Sequence, residues 1–164
     1  MLTGLLLFSH GSLLCGADQI LRSHAERLRL SSSYRAVEIA FLNYNHPNLT
    51  EAVERLSQAG CTTILVIPYL LVPGKFITRD LPEQINKIKQ SRQELTFLIG
   101  NPLGYSSLLS KAILEVAELA LDQSSWIDYL HEAQNGCIGN PKCPLYGTKG
   151  CPYFIANTKE TEAI

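Results

Sequence analysis

The chain has 164 residues, of which 46% are hydrophobic and 18% charged, and a formal net charge of −1. That length suits one domain with a proper hydrophobic core. The near-neutral balance, with Lys and Arg spread along the chain, gives no electrostatic basis for nucleic-acid binding. The apolar opening from Met1 to Phe8 is too short to span a bilayer and has neither a basic leader nor a small-residue cleavage site, so it reads as a buried strand. No other apolar run reaches membrane-spanning length. Five cysteines, an odd number with three gathered near the carboxyl end, suggest a reducing, cytoplasmic setting and metal or redox chemistry ahead of structural disulfides.

Strand-like and helix-like stretches then alternate. Residues 4–9 form a continuous apolar run, as expected of a strand covered on both faces. Residues 17–30 carry Ile20, Leu21, Ala25 and Leu28 at helical spacing. A second strand spans 36–42, and Pro47 and Asn48 open a helix that stops near Gly60. The third strand, 62–69, is rich in Ile, Leu and Val; after Pro73 and Gly74 a helix is predicted over 78–89. A fourth strand at 95–99 leads to a helix over 106–121, and 124–134 reads as one more.

Four such repeats predict an α/β fold: an open four-stranded, mainly parallel sheet with helices on both faces. The domain is expected to occupy residues 1–134, and residues 135–164 an irregular cysteine-bearing tail. Such sheets bind ligands beyond the carboxyl ends of their strands, where strand order reverses. The loops expected there are Ser9-His10-Gly11-Ser12, Asn43-Tyr44-Asn45-His46, Val72-Pro73-Gly74-Lys75-Phe76 and Asn101-Pro102-Leu103-Gly104. His10 follows a buried strand and precedes a glycine, a position that suits either a base and metal ligand or a turn histidine bonded to the backbone. Ser12 reads as a helix cap or an anion-binding hydroxyl. Lys75 and Arg79 could bind carboxylates through charge-assisted hydrogen bonds, or belong to a solvated helix face. Asp80 is expected to favour the positive end of the third helix.

The order and spacing of Ser9-His10-Gly11-Ser12, the Val37–Leu42 strand with Pro47, the stretch from Ala59 through Pro68, Gly74 and Asp80 to Pro82, and Asn101-Pro102-Leu103-Gly104 resemble the small class II chelatases. These are sirohydrochlorin ferrochelatases and cobaltochelatases of the CbiX/SirB type. The tail containing Cys137, Cys143 and Cys151 is similar to that of the plant and cyanobacterial branch.

The resemblance implies insertion of a divalent metal, Fe²⁺ or Co²⁺, into sirohydrochlorin, with iron favoured by the tail. It also implies a tetrapyrrole as the partner small molecule, a homodimer, and an iron–sulfur cluster on the tail cysteines, which supply three thiolates where a standard cluster takes four. His10 matches the family's base and metal-handling histidine. Three positions depart from the pattern. Phe76 replaces a second histidine, Asn43 an acidic residue and Leu13 an arginine, which removes a base, a carboxylate and a cation. Two readings follow: His46, on the same sheet edge, serves as the second base, or the scaffold works as a tetrapyrrole or metal carrier or regulator. Ser12, Asn43, Lys75, Phe76 and Arg79 are then the expected substrate contacts, and His46 is otherwise a surface loop histidine.

Overall fold

The computed structural model describes residues 2–12, 17–125 and Tyr146. Its frame is a four-stranded parallel sheet of β1 (Thr3–Ser9), β2 (Ala36–Phe41), β3 (Thr63–Pro68) and β4 (Thr96–Ile99) in the order β2-β1-β3-β4. β1 lies at the centre because it can be buried on both faces. Gly4, Leu5, Leu6, Leu7 and Phe8 are all inaccessible to solvent, and an unbroken apolar run is what two-sided burial requires. It pairs Leu7 with Ile39 of β2 on one side and with Ile67 of β3 on the other.

Helices follow the strands as expected: α1 (Gln19–Ser31), α2 (Leu49–Gln58), α3 (Leu81–Ser91) and α4 (Leu108–Leu119). α1 lies on one face, where Leu21 and Ala25 meet Leu5, Leu7, Val37, Ile39 and Phe41. α2 and α3 cover the other face and form the larger core, with Leu6, Phe8, Ile64 and Val66 beneath Leu49, Leu56, Leu81 and Ile85. Boundaries move by a residue or two from expectation, within the usual fraying of element ends.

Three differences have physical causes. Ser12 does not cap α1, because that helix begins seven residues later and Asp18 takes the N-cap position. The third helix does not begin at residue 78. A wide π-turn, Phe76–Asp80, precedes it and runs straight into α3, with Pro82 in the first turn where its missing N–H costs nothing. Asp80 stands at the N-cap position of α3, the end of the dipole that favours it. Finally, α4 buries none of its residues. Among the described residues no helix is long and apolar enough to cross a membrane. The helix expected at 124–134 falls almost wholly outside them, as does the tail; Gln123–Ser125 forms a short 3-10 turn.

α2 has the best-defined start. Asn48 Oδ1 accepts from the Glu51 N–H at 2.9 Å, and the Asn48 N–H donates to Glu51 Oε2 at 2.8 Å, a reciprocal capping box. Phe41 N–H donates to the Pro47 carbonyl, so the cap also ties the loop after β2 to the sheet. Asn48→Ala should cost about 1 kcal/mol of folding stability, read as a lower urea midpoint with an unchanged slope.

Candidate active site

The strand order reverses between β1 and β3, since β1 connects to β2 on one side while later crossovers lead to β3 and β4 on the other. His10 leaves the sheet at this switch point, where open α/β sheets bind ligands. Its loop is gripped by the turn after β2. Leu42 N–H donates to the Ser9 carbonyl at 2.9 Å and Asn43 N–H to the His10 carbonyl at 2.9 Å. Ser12 N–H donates to Asn45 Oδ1 at 2.7 Å. Gly11 sits at φ +87°, and a Cβ there would lie 1.9 Å from the Asn43 carbonyl oxygen. The glycine is therefore required twice, for its backbone angle and for the close approach of the second loop.

The imidazole of His10 is half-buried and its tautomer can be read from its neighbours. Nδ1 lies 3.0 Å from the Gly11 carbonyl, which can only accept, so in the neutral ring Nδ1 carries the proton. Nε2 is left with its lone pair and faces Asn43 Nδ2 at 3.4 Å, a weak contact from an amide donor. Two aromatic rings flank the imidazole. Phe76, at the start of the π-turn, is 4.6 Å away between centroids at 56°, and Tyr44 is 5.9 Å away, edge-on at 63°. Tyr44 reaches this place from a left-handed backbone angle, φ 66°. Phe76 and Tyr44 both remain accessible, so the edge around His10 presents apolar as well as polar surface.

The structure thus brings together His10, Asn43 and Phe76 from three separate loops, with the Ser12 backbone beside them. Tyr44 and Asn45 belong to the same constellation and were not singled out from the sequence. An Asn-Tyr-Asn turn carries no motif, and its role depends on the parallel register of β1 and β2.

His46 stands elsewhere. Its Nδ1 is 3.0 Å from Glu51 Oε2, at the α2 cap, and its carbonyl accepts from Arg22. That hydrogen bond, followed by the Asn48 backbone N–H, holds the Glu51 carboxyl below the ordinary carboxylate range. Arg79 is paired with Asp80 at 2.9 Å and reaches toward Glu83, while Lys75 is exposed at the entrance to the π-turn.

Among the described residues no three His, Cys, Asp or Glu side chains converge as a metal site. Cys137, Cys143, Cys151 and His131 lie outside the described residues, as do Leu13 and Cys15. Cys61 is a buried core residue whose thiol is pushed up by burial, as its position at the entry to β3 suggested.

A parallel four-stranded half-domain with a histidine at its switch point is the plan of the class II chelatases. A family model described as CbiX matches residues 4–120, and the chain belongs to that family. The sirohydrochlorin cobaltochelatase of Sulfolobus acidocaldarius is 33% identical over 118 residues, which takes in 72% of this chain and 92% of the relative. The sirohydrochlorin chelatase SirB of Bacillus subtilis subspecies spizizenii, solved in complex with cobalt, superposes with a TM-score of 0.68 at 23% identity over 82% of this chain and 63% of that one. SirB from Bacillus subtilis with Fe³⁺ gives 0.65 at 27% identity over 70% of this chain. The chain spans 46% of the length of that SirB, about half.

Gly11→Ala should cost on the order of 1–3 kcal/mol through left-handed strain, and more if the Asn43 carbonyl cannot retreat. The expected signature is a lowered thermal midpoint together with a shifted His10 ring resonance by NMR. An unperturbed resonance would mean the two loops are not locked together.

Proposed function

We propose that this chain inserts a divalent metal into sirohydrochlorin, with His10 as the base that takes the pyrrole protons. The observation that supports this reading best is the state of His10 at the switch point: Nδ1–H is committed to the Gly11 carbonyl, and the Nε2 lone pair is uncommitted to any stronger donor than the Asn43 amide. The reaction exchanges two pyrrole N–H protons for one M²⁺. A neutral imidazole accepts one proton at Nε2, releases it to water, and accepts the second by the same route. The Gly11 carbonyl stabilises the imidazolium throughout, because it keeps its hydrogen bond in both protonation states.

The macrocycle is a large, flat, largely apolar ring with carboxylates at its rim. Phe76 and Tyr44 offer it aromatic surface beside His10. Lys75, exposed and one residue before Phe76, is the cation we assign to the rim carboxylates. Ser12 and Asn43 contribute polar contacts at the inner end. Arg79, already paired with Asp80, adds a second cation only if it exchanges partners.

The metal is Co²⁺ or Fe²⁺. The curated relative is a cobaltochelatase, whereas the similarity of the cysteine tail favours iron. Parallel rates with the two ions decide between them.

A second reading is favoured by one specific feature. Phe76 occupies the place expected of a second histidine and packs, tilted, against the first, so the scaffold could hold a tetrapyrrole without metallating it. Purified chain mixed with sirohydrochlorin and Co²⁺ or Fe²⁺, followed by visible absorbance, separates the two. Acceleration over the uncatalysed reaction supports the enzyme; tight macrocycle binding with no acceleration supports the carrier.

His10→Ala should lower the chelation rate at least a hundredfold, the usual scale of general-base loss, while leaving the far-UV circular dichroism unchanged. His46→Ala is expected to leave the rate within about threefold, since its ring is engaged at the α2 cap with Glu51; a loss comparable with that of His10→Ala would instead make His46 the second base.

A further inference from the structure

Gly11 and Ser12 share one peptide unit, and the two ends of that unit face different groups. Its carbonyl oxygen lies 3.0 Å from Nδ1 of His10. Its N–H, on Ser12, donates to Asn45 Oδ1 at 2.7 Å. A trans peptide is planar, with C=O and N–H pointing in opposite directions, so an anchor at one end aims the other. The backbone of Gly11 does not hold that plane by itself. At φ +87° and without a Cβ, glycine leaves its ψ open, and the peptide can turn over at little steric cost. A turned peptide would present its N–H, not its carbonyl, toward Nδ1. Nδ1 would then have to accept, the proton of the neutral ring would move to Nε2, and the lone pair there would be lost.

Asn45 is itself held in place. Its N–H donates to the Asn43 carbonyl at 2.7 Å, and the Asn43 N–H donates to the His10 carbonyl at 2.9 Å. The side chain therefore starts from a turn already fastened to the loop it locks. The orientation of its amide is set as well, because the Ser12 N–H can only donate and so must face the oxygen. A Cβ on Gly11 would come within 3.0 Å of that same oxygen, a measure of how closely the carboxamide lies over the peptide.

We propose that Asn45 is a positioning residue for His10: by holding the Ser12 N–H it fixes the Gly11–Ser12 peptide, and with it the Nδ1–H tautomer that leaves Nε2 as the acceptor. Asn45 does this without touching the imidazole; it acts through one rigid peptide. The tautomer is independent of the reaction the site performs, whereas its effect on rate rests on the reading of His10 as the base.

The test uses the full chain labelled with ¹⁵N at histidine. A long-range ¹H–¹⁵N spectrum at alkaline pH, where an imidazole is neutral, shows which ring nitrogen carries the proton, and His10→Ala assigns the signals. The wild-type ring should be protonated at Nδ1. Asn45→Ala should shift His10 to the Nε2–H tautomer or to a mixture of the two, with the far-UV circular dichroism unchanged. Asn45→Asp keeps an acceptor oxygen at the same reach and should retain the wild-type tautomer, a rescue that a general packing role would not produce. In the chelation assay Asn45→Ala should be slower by roughly five- to tenfold, the weight of one hydrogen bond. A wild-type ring protonated at Nε2 overturns the proposal. So does an Ala variant with the wild-type tautomer, or an Asp variant that behaves like the Ala variant. A tautomer that shifts as expected while the rate stays the same supports the role of Asn45 and overturns His10 as the base. If Asn45→Ala does not fold, Asn45→Ser, whose hydroxyl is too short to reach the Ser12 amide, is read in its place.

Discussion

The grip of residues 42–45 on the end of β1 and the loop after it is the constraint on which the site depends. Three hydrogen bonds join the two segments, and Gly11 lets them approach to a distance no side chain would allow. The grip is possible because β1 and β2 are parallel neighbours in register, with Ser9 opposite Phe41, so both loops emerge at one level. One consequence is chemical. The Gly11 carbonyl meets Nδ1 of His10 only in this loop conformation, and that contact determines which nitrogen of the neutral ring is free. Register, loop geometry and tautomer therefore form one causal chain, from the apolar run of β1 to the imidazole at its end.

Much of this was legible in the sequence, and for identifiable reasons. The Leu5–Phe8 run announces a doubly buried strand, and His10-Gly11 after it announces a sharp exit at the ligand edge. Pro47 and Asn48 announce the start of α2. The arrangement around His10 was less accessible. Tyr44 and Asn45 act through a left-handed backbone angle and a side-chain carbonyl aimed at another loop, neither of which has a local signature. Phe76 was visible as a departure from the chelatase pattern, but its tilted contact with His10 depends on the π-turn, which helical periodicity does not distinguish from an α-helix.

The substitutions around His10 alter the kind of site this is. An acidic residue at position 43 would pull metal toward the imidazole and raise its pKa by charge, and a second imidazole at position 76 would add a ligand. With Asn43 and Phe76, the groups that touch His10 are an amide, a carbonyl and two aromatic rings. Such a site holds a hydrated cation weakly. It is better suited to receiving a proton than to storing a metal, since a neutral imidazole beside rings of low polarity keeps its lone pair and recruits no counter-ion.

That distinction bears on how metal would reach the macrocycle. In a site with two histidines and a carboxylate, the protein can take the metal first and present it to the ring. Here, under the proposed function, the aromatic surface of Phe76 and Tyr44 beside His10 would be the stronger attraction, and it would be an attraction for the tetrapyrrole. Once the macrocycle lies against those rings, its own pyrrole nitrogens are the best metal ligands available, and what the protein must add is a base within reach of the N–H protons. The loss of metal-binding groups around His10 is therefore compatible with catalysis provided the macrocycle binds first and the metal arrives from solution. Under that order, the rate should depend on metal concentration without saturating at a protein site, whereas a metal-first site would saturate.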